Sequence, residues 1–467
     1  MASVILLIRR WQVQALPMNQ EPYSQIPISL NRKVEIVKYY LPIVTTVIAF
    51  AGNVALADPN ILLIIADDMG LDASRCYDVG KQQAPMPNLE AMCANGIVFD
   101  NAYAQPTCSP TRATIMTGQY GFRTGVGAPI APDGSDDLDS DIPTLFDALA
   151  PTGYAANVIG KWHITGRDMG YDLPQQMGVP DYFGLFYGGV QDYFNWTAVE
   201  DGQEVQIEGY ATTVLTDRAI EWIEDQEDPW FLWLAYNAPH SPFHLPPNDL
   251  HTFDDLPVDE ASVDENPLPY YQAMLEALDT EIGRLLNSMS DEERANTVVM
   301  FIGDNGTPNQ VLNGLYGDHQ AKATLYDSGT HVPLIVSGPG IDAGRTDAFT
   351  NTSDLTATIA GLTGAEFSSP DSYDFGPVLA GGEGSRDYIY TDHFTNRETR
   401  GGGIYGWAVR EDNYRLVVPK DAPAELFDLS SDPLEQVNLL GDGGTDEVIQ
   451  IVADLQARRD ALVATAN

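Results

Sequence analysis

The sequence predicts an α/β protein built on one large sheet, followed by a small antiparallel sheet with a single covering helix. Three observations predict it. Short, dense apolar runs recur along the chain, helical stretches lie between them, and after about residue 384 the texture changes to short strand-like segments joined by turns.

The runs ILLIIA (61–66), YAANVIG (154–160), WFLWLAY (230–236), TVVMFIG (297–303) and VPLIVSG (332–338) are apolar on both faces, as strands covered by helices on two sides require. Between them, 87–96, 142–153, 212–226 and 270–289 read as helices. The last carries a 3.6-residue apolar stripe of Met274, Leu275, Leu278, Ile282, Leu285 and Leu286. In the C-terminal part, RDYIYTDH, GIYGWAVRED, NYRLVVP and AELFDL read as strands, and 447–466 as an amphipathic helix. The predicted organisation is an N-terminal extension and signal peptide (1–57), a large α/β domain (58–384) and a C-terminal α+β subdomain (385–467).

Asn31-Arg32-Lys33 and Lys38 lead into LPIVTTVIAFAGNVALA, a basic-then-apolar segment ending in Ala55-Leu56-Ala57. That pattern marks a secretory signal peptide cut before Asp58, hence a periplasmic or secreted protein with no membrane attachment after cleavage. The chain has 24 Lys/Arg against 67 Asp/Glu, a formal net charge of −43. Such a charge repels nucleic acid and anionic membranes and excludes them as partners. The acidic runs 133–141 and 254–266 lack the spaced ligands of a calcium loop and read as solvated surface.

Each interior strand runs into polar residues at its carboxyl end, where open α/β sheets bind ligands. Strand 61–66 delivers Asp67-Asp68, 154–160 delivers Lys161 and His163, 230–236 leads to His240, and 297–303 delivers Asp304-Asn305. The four acids and amides form an oxygen-donor set suited to Ca²⁺ or Mg²⁺. Taken singly, each pair also fits an ordinary turn. Arg112, Lys161 and Lys322 are scarce cations placed beside them, so the expected ligand is a small oxyanion. If 109–118 opens a helix, Ser109 is its N-cap and Pro110 its first residue, and the backbone N–H groups face the anion. Of three cysteines, Cys76 and Cys93 are expected to pair in an oxidising compartment, with two buried thiols as the alternative, and Cys108 is left odd.

The stretch CSPTRATIMTG (108–118) resembles the C-x-P-x-R…TG motif of the type I, formylglycine-dependent sulfatases of the alkaline-phosphatase-like superfamily. PNILLIIADDMG, GKWH, NAPHSPF, GDNG, KATLYDSGTHVPLIV and AELFDLSSDPLEQVNLL follow in the family's order. The resemblance implies a large mixed sheet flanked by helices, and a cysteine converted to formylglycine by a maturation enzyme. It further implies that Asp67, Asp68, Asp304 and Asn305 hold calcium, with residue 108 among the metal contacts. Residue 108 would be the nucleophile and Arg112 and His163 would hold its hydrated form. Lys161, His240 and Lys322 would grip the sulfate, and His240 or Lys322 would protonate the leaving alcohol. The substrate would be a small or oligomeric sulfated molecule, a carbohydrate or aryl sulfate. His331 stands where the family commonly has arginine and Gln320 where it often has glycine, departures expected on the substrate side. A phosphonate monoester or phosphodiester hydrolase of the same superfamily, and a binding protein with an unmodified thiol, are the rival readings. The aromatic stretch 182–196 fits either core packing or the wall of a ring-binding pocket.

Overall fold

The apolar runs become the middle of a ten-stranded sheet because both of their faces are buried. In the computed structural model, residues 58–134, 137–166, 169–227, 229–395, 405–441 and 443–465 are described; the expected signal peptide lies outside them. The strands are β1 (Asn60–Ala66), β2 (Ile97–Tyr103), β3 (Ala155–Gly160), β4 (Tyr182–Gly184), β5 (Asn195–Glu200), β6 (Gln203–Glu208), β7 (Trp230–Ala235), β8 (Thr297–Gly303), β9 (Leu334–Ser337) and β10 (Gly344–Asn351). Their order is β10-β2-β9-β8-β1-β7-β3-β4-β5-β6. Strands β8, β1, β7, β3 and β4 run parallel, while β9, β5 and β6 introduce antiparallel pairings, so the sheet is mixed.

Alternation along β1 divides the interior into two cores. Leu62, Ile64 and Ala66 join the helices Ala211–Glu224 and Leu268–Ser288 on one face. Ile61, Leu63 and Ile65 join Ala113, Ile115 and Met116 of the helix Cys108–Thr117 on the other. Truncating a side chain such as Leu63 to alanine costs about 2–5 kcal/mol in a core packed this way. The expected helix 142–153 contracts to Leu145–Leu149. Its start is fixed by a capping box in which the Thr144 hydroxyl accepts from the Asp147 N–H and the Asp147 carboxylate accepts from the Thr144 N–H.

A second sheet follows, with β11 (Tyr388–His393), β12 (Gly406–Glu411), β13 (Tyr414–Pro419) and β14 (Glu425–Asp428) in antiparallel succession. Leu455 and Leu462 of the helix Asp446–Ala464 cover one face over Tyr388, Tyr390, Leu416 and Leu426. Ala408, Val417 and Phe427 on the other face pack on Leu325 and Tyr326 of the first part. The described residues from 58 onward therefore cluster as one unit, and the change of texture near residue 384 marks a change of sheet within it. No helix among the described residues is long and apolar enough to cross a membrane.

Candidate active site

The register of the central strands brings the polar residues to one level. Ala66 lies beside Gly303, and Gly160 beside Ala235. Asp67, Asp304 and Lys161 therefore leave the parallel strands β1, β8 and β3 at one level, with β7 between β1 and β3. Gly160 has φ 109°, and a Cβ there would sit 1.9 Å from the Ala235 carbonyl oxygen, so only glycine lets β3 turn toward the site. Strand β2 reaches the same edge, because two antiparallel steps through β9 restore the direction of β8. Its carboxyl end leads into the helix that carries residue 108.

That helix runs Cys108–Thr117 with Thr107 as N-cap, φ −149° and ψ 165°. Ser109 is thus inside the helix, contrary to the expectation that it caps it. Its hydroxyl instead accepts from the Ile130 N–H at 3.0 Å. The consequence is favourable for chemistry: Cys108 becomes the first helical residue, beside the free N–H groups and positive end of the dipole. The Cys108 thiol is buried, and burial, with Asp67 next, pushes its pKa up to about 12.

Arg112, one turn further, donates Nη2 to Asp304 Oδ2 and Nη1 to the Lys161 carbonyl oxygen, both at 2.8 Å. The Lys161 ammonium pairs with Asp67 Oδ2. Lys322 donates to Asp68 Oδ2 at 2.6 Å, and Asn305 Nδ2 to Asp68 Oδ1 at 2.8 Å. The Asp68 N–H reaches Asp304 Oδ1 at 2.9 Å. Burial favours the neutral acid at Asp68, but Lys322 and His240 outweigh it and hold the carboxyl well below its usual range. Asp67 goes the other way: burial, then the charge of Asp304, push it up to about 7.

His240 Nε2 lies 3.8 Å from Asp68 Oδ2, and its Nδ1 contacts the Ser241 carbonyl oxygen at 2.7 Å. Burial lowers its pKa to about 4. His163 Nε2 contacts the Ile130 carbonyl oxygen at 3.0 Å, and burial holds its pKa well below the normal value. Asp68 and His163 have φ of 67° and 53°, left-handed conformations that side chains other than glycine adopt at a cost. Tyr271 secures the first by donating its hydroxyl to the Asp68 carbonyl oxygen at 2.8 Å. Neither Tyr271 nor Ile130 was identifiable from sequence, since one sits in a helical stripe and the other in a loop.

Ligand atoms of Asp67, Asp68, Cys108 and His240 lie within 4.8 Å of one another. Asp67 Oδ1 and Asn305 Oδ1 are buried without a hydrogen-bond partner. Unsatisfied oxygens on neighbouring acidic and amide side chains fit a hard divalent cation, which prefers such donors.

The aromatic stretch is mostly core. Tyr182 donates to the Gly160 carbonyl oxygen at 3.0 Å, and Tyr193 to the carbonyl oxygens of Asn237 and His240 at 2.9 and 2.6 Å. His331 was expected on the substrate side but packs elsewhere. It stacks on Tyr103, contacts Asp327 Oδ2 at 2.8 Å and the Asp100 carbonyl oxygen at 2.9 Å, and lines a separate cavity of about 210 Å³ with Arg410 and Leu434. Gln320 bonds through Oε1 to Asn309 Nδ2 at 3.1 Å on the exposed side. Cys76 and Cys93 are joined in a disulfide.

A mixed sheet with acids, lysines and histidines gathered at one edge around a helix start is the kind of site that holds a small oxyanion. Residues 59–365 match the Sulfatase family, and the chain belongs to it; it is a sulfuric ester hydrolase. Human arylsulfatase A is 28% identical across 89% of this chain and 91% of its own length. The uncharacterized sulfatase YidJ of Escherichia coli strain K12 is 26% identical across 82% and 83%. Among solved structures, Ps i-CgsB in complex with k-i-k-neocarrahexaose superposes with a TM-score of 0.73 over 86% of this chain and 92% of that one, at 23% identity. The fold is that of the alkaline-phosphatase-like sulfatases.

Proposed function

We propose that this sulfatase acts through a formylglycine made from Cys108 by a separate maturation enzyme, on sulfate esters of carbohydrates or aryl alcohols. The observation that carries the proposal is the meeting of residue 108, at the first position of its helix, with Asp67, Asp68 and His240 within 4.8 Å. One hydroxyl of the hydrated aldehyde attacks sulfur, the sulfur–oxygen bond to the alcohol breaks, and the alcohol leaves with a proton. The second hydroxyl then gives up its proton, the aldehyde reforms, and sulfate departs by C–O cleavage. Water restores the diol.

Arg112 and His163 hold the diol, and Lys161, His240 and Lys322 grip the sulfate with charge-assisted and neutral hydrogen bonds. His240 and Lys322 are the partly exposed members, at 19% and 21%, so the leaving alcohol emerges on their side and takes its proton there. Asp67, Asp68, Asp304 and Asn305 would hold Ca²⁺, or Mg²⁺, with residue 108 alongside. A bound cation would supply positive charge to the sulfate oxygens. Residues 58–384 form the catalytic part and 385–467 the C-terminal subdomain. The protein is exported after cleavage before Asp58 and works in the periplasm or outside the cell.

The test is mass spectrometry of the unreduced tryptic digest of protein produced with a maturation enzyme. The peptide 82–112 carries Cys93 and residue 108, linked to 76–81 through the disulfide. An aldehyde in place of the thiol at 108 supports the mechanism; an intact thiol in active protein overturns it. Calcium binding is read separately by calorimetry on wild type and Asp304→Ala, where only the wild type should bind.

A further inference from the structure

Exposure is uneven across the residues of the proposed sulfate pocket. The side chains of Asp67, Arg112 and Lys161 are fully buried, whereas those of His240 and Lys322 retain some exposure. On the His240 side a loop passes close: a Cβ on Gly188 would lie 2.9 Å from the His163 ring, and one on Gly189 would lie 3.2 Å from His240 Cε1. The two glycines allow this loop to lie directly against both histidines.

The same loop, through Tyr187, Gly189 and Gln191, lines a second cavity of about 300 Å³ together with residues of the β5–β6 hairpin. Thr197 pairs with Gln206 and Val199 with Glu204 across that hairpin, so Asn195, Thr197, Glu204 and Gln206 present one face. Tyr187, Gly189 and Gln191 of the loop complete the lining, and no lysine or arginine is among the lining residues. Gln206 is held by the Thr197 hydroxyl, Asn195 Oδ1 and the Trp196 carbonyl oxygen, which leaves the Gln191 amide and Asn195 Nδ2 to offer acceptor and donors, and Tyr187 offers a ring face. A neutral sugar ring needs that combination, because its hydroxyls both give and take hydrogen bonds while its C–H face packs on an aromatic surface. Glu204, which accepts from the Tyr171 hydroxyl, sets a carboxylate in the same wall and repels a second sulfate.

We infer that this cavity is a subsite for a neutral sugar ring neighbouring the sulfated one, so that the substrate is a sparingly sulfated oligosaccharide. The inference rests on the proposed role of His240 at the mouth of the sulfate pocket. It adds a selection rule: one sulfate is read by the cations, and the adjoining ring must be uncharged.

Two arms test it with the full chain in its mature form. In the kinetic arm, 4-methylumbelliferyl sulfate reads the chemistry alone. Disaccharides of galactose, glucose and N-acetylglucosamine, sulfated on one ring or on both, read the subsite. The expected result is a preference of at least about tenfold in kcat/KM for singly over doubly sulfated disaccharide, the scale of one close charge repulsion. Gln191→Ala should raise KM for the best disaccharide about fivefold relative to its effect on the aryl sulfate, the scale of one lost hydrogen bond. Glu204→Gln should narrow the preference. Equal effects on both substrate types, with the preference unmoved, would overturn the inference.

In the binding arm, saturation-transfer NMR follows the unsulfated disaccharides on the Cys108→Ala protein. Contact with one of them that weakens in Gln191→Ala supports the subsite, and no contact with any of them overturns it. Loss of aryl sulfate turnover in the wild type would count against the residue 108 chemistry, while the binding arm would still decide the subsite.

Discussion

Two buried charge clusters in this molecule look alike by composition and differ in one respect. In the Arg386–Asp354 pair, every nitrogen and oxygen of the two side chains is used. Arg386 Nε and Nη2 bond the two Asp354 oxygens at 2.7 and 2.5 Å, and Nη1 bonds the Tyr120 hydroxyl at 2.7 Å. The Asp354 oxygens also accept from the backbone N–H of Asn351 and Tyr373, each at 2.8 Å. At the strand ends, Arg112, Asp67, Lys161, Asp304 and Asn305 are equally buried, yet Asp67 Oδ1, Asn305 Oδ1, Arg112 Nε and His163 Nδ1 have no partner. A cluster that satisfies itself is complete once the chain has folded. One that keeps unmet donors and acceptors at a shared edge is arranged for something the chain does not contain.

The sharpest way to break the comparison is to remove one member from each cluster. Cys108→Ala should lower kcat by at least about 10⁴-fold, since it deletes the proposed nucleophile. Its unfolding free energy should fall by no more than about 1–2 kcal/mol, as expected for a small buried truncation. Arg386→Met should do the reverse. It leaves the Asp354 carboxylate buried without its partner and should cost about 3–5 kcal/mol in denaturant unfolding, while the folded fraction keeps its kcat. If Arg386→Met instead lost activity at full stability, the division into a self-satisfied and an open cluster would be wrong.

Asp392 is a third case, half satisfied, and it sharpens the contrast. Its Oδ2 accepts from the Phe122 N–H at 2.9 Å, while Oδ1 is buried without a partner. Burial pushes its pKa up to about 7 from a usual 3.8. Here the group avoids a buried charge by keeping its proton. Between about pH 4 and 7 the native state holds a proton that the unfolded chain has released, so stability falls as pH rises through that window. Asp392→Asn keeps the acceptor for Phe122 and removes the titration. It should flatten that fall and gain on the order of 2 kcal/mol at pH 7.5, read from urea unfolding at pH 4.5 and 7.5. An unchanged slope would mean the carboxyl is charged and paired after all.

Much of the open cluster was legible because the strands that carry it are dense apolar runs, and the residues after β1, β3, β7 and β8 are polar against that background. The edges were harder to read. Strand β10, GRTDAFTN, has no apolar alternation and is held by parallel pairing to β2, a partner about 250 residues earlier. The β5–β6 hairpin, six residues to a strand and polar on its outer face, was not among the predicted strands although Thr197, Val199, Val205 and Ile207 are β-branched. Ser109 looked like an N-cap by residue type, but its hydroxyl is taken by Ile130, and Thr107 holds the capping position by its backbone alone. His331 sat within a run of site residues and yet, directly after the short helix Asp327–Thr330, it contacts Asp327 and stacks on Tyr103. Local pattern identifies which residues are unusual; only long-range pairing decides which way they point.

Salt separates the two clusters most gently. A formal net charge of −43 surrounds a pocket whose cations are Arg112, Lys161 and Lys322. At about 10 mM salt the screening length is roughly 30 Å, so the acidic shell repels an approaching sulfate ester; at about 150 mM it shrinks to roughly 8 Å. The pocket cations act at hydrogen-bond range and are not screened to the same degree. Raising salt over that interval should therefore lower KM several-fold, more for a doubly sulfated substrate than for a singly charged aryl sulfate, with kcat little changed. The Arg386–Asp354 pair is sealed from solvent, so the stability it confers should not move. A KM that rose with salt would mean that the local cations govern approach as well as capture, and that the acidic shell is too distant to matter.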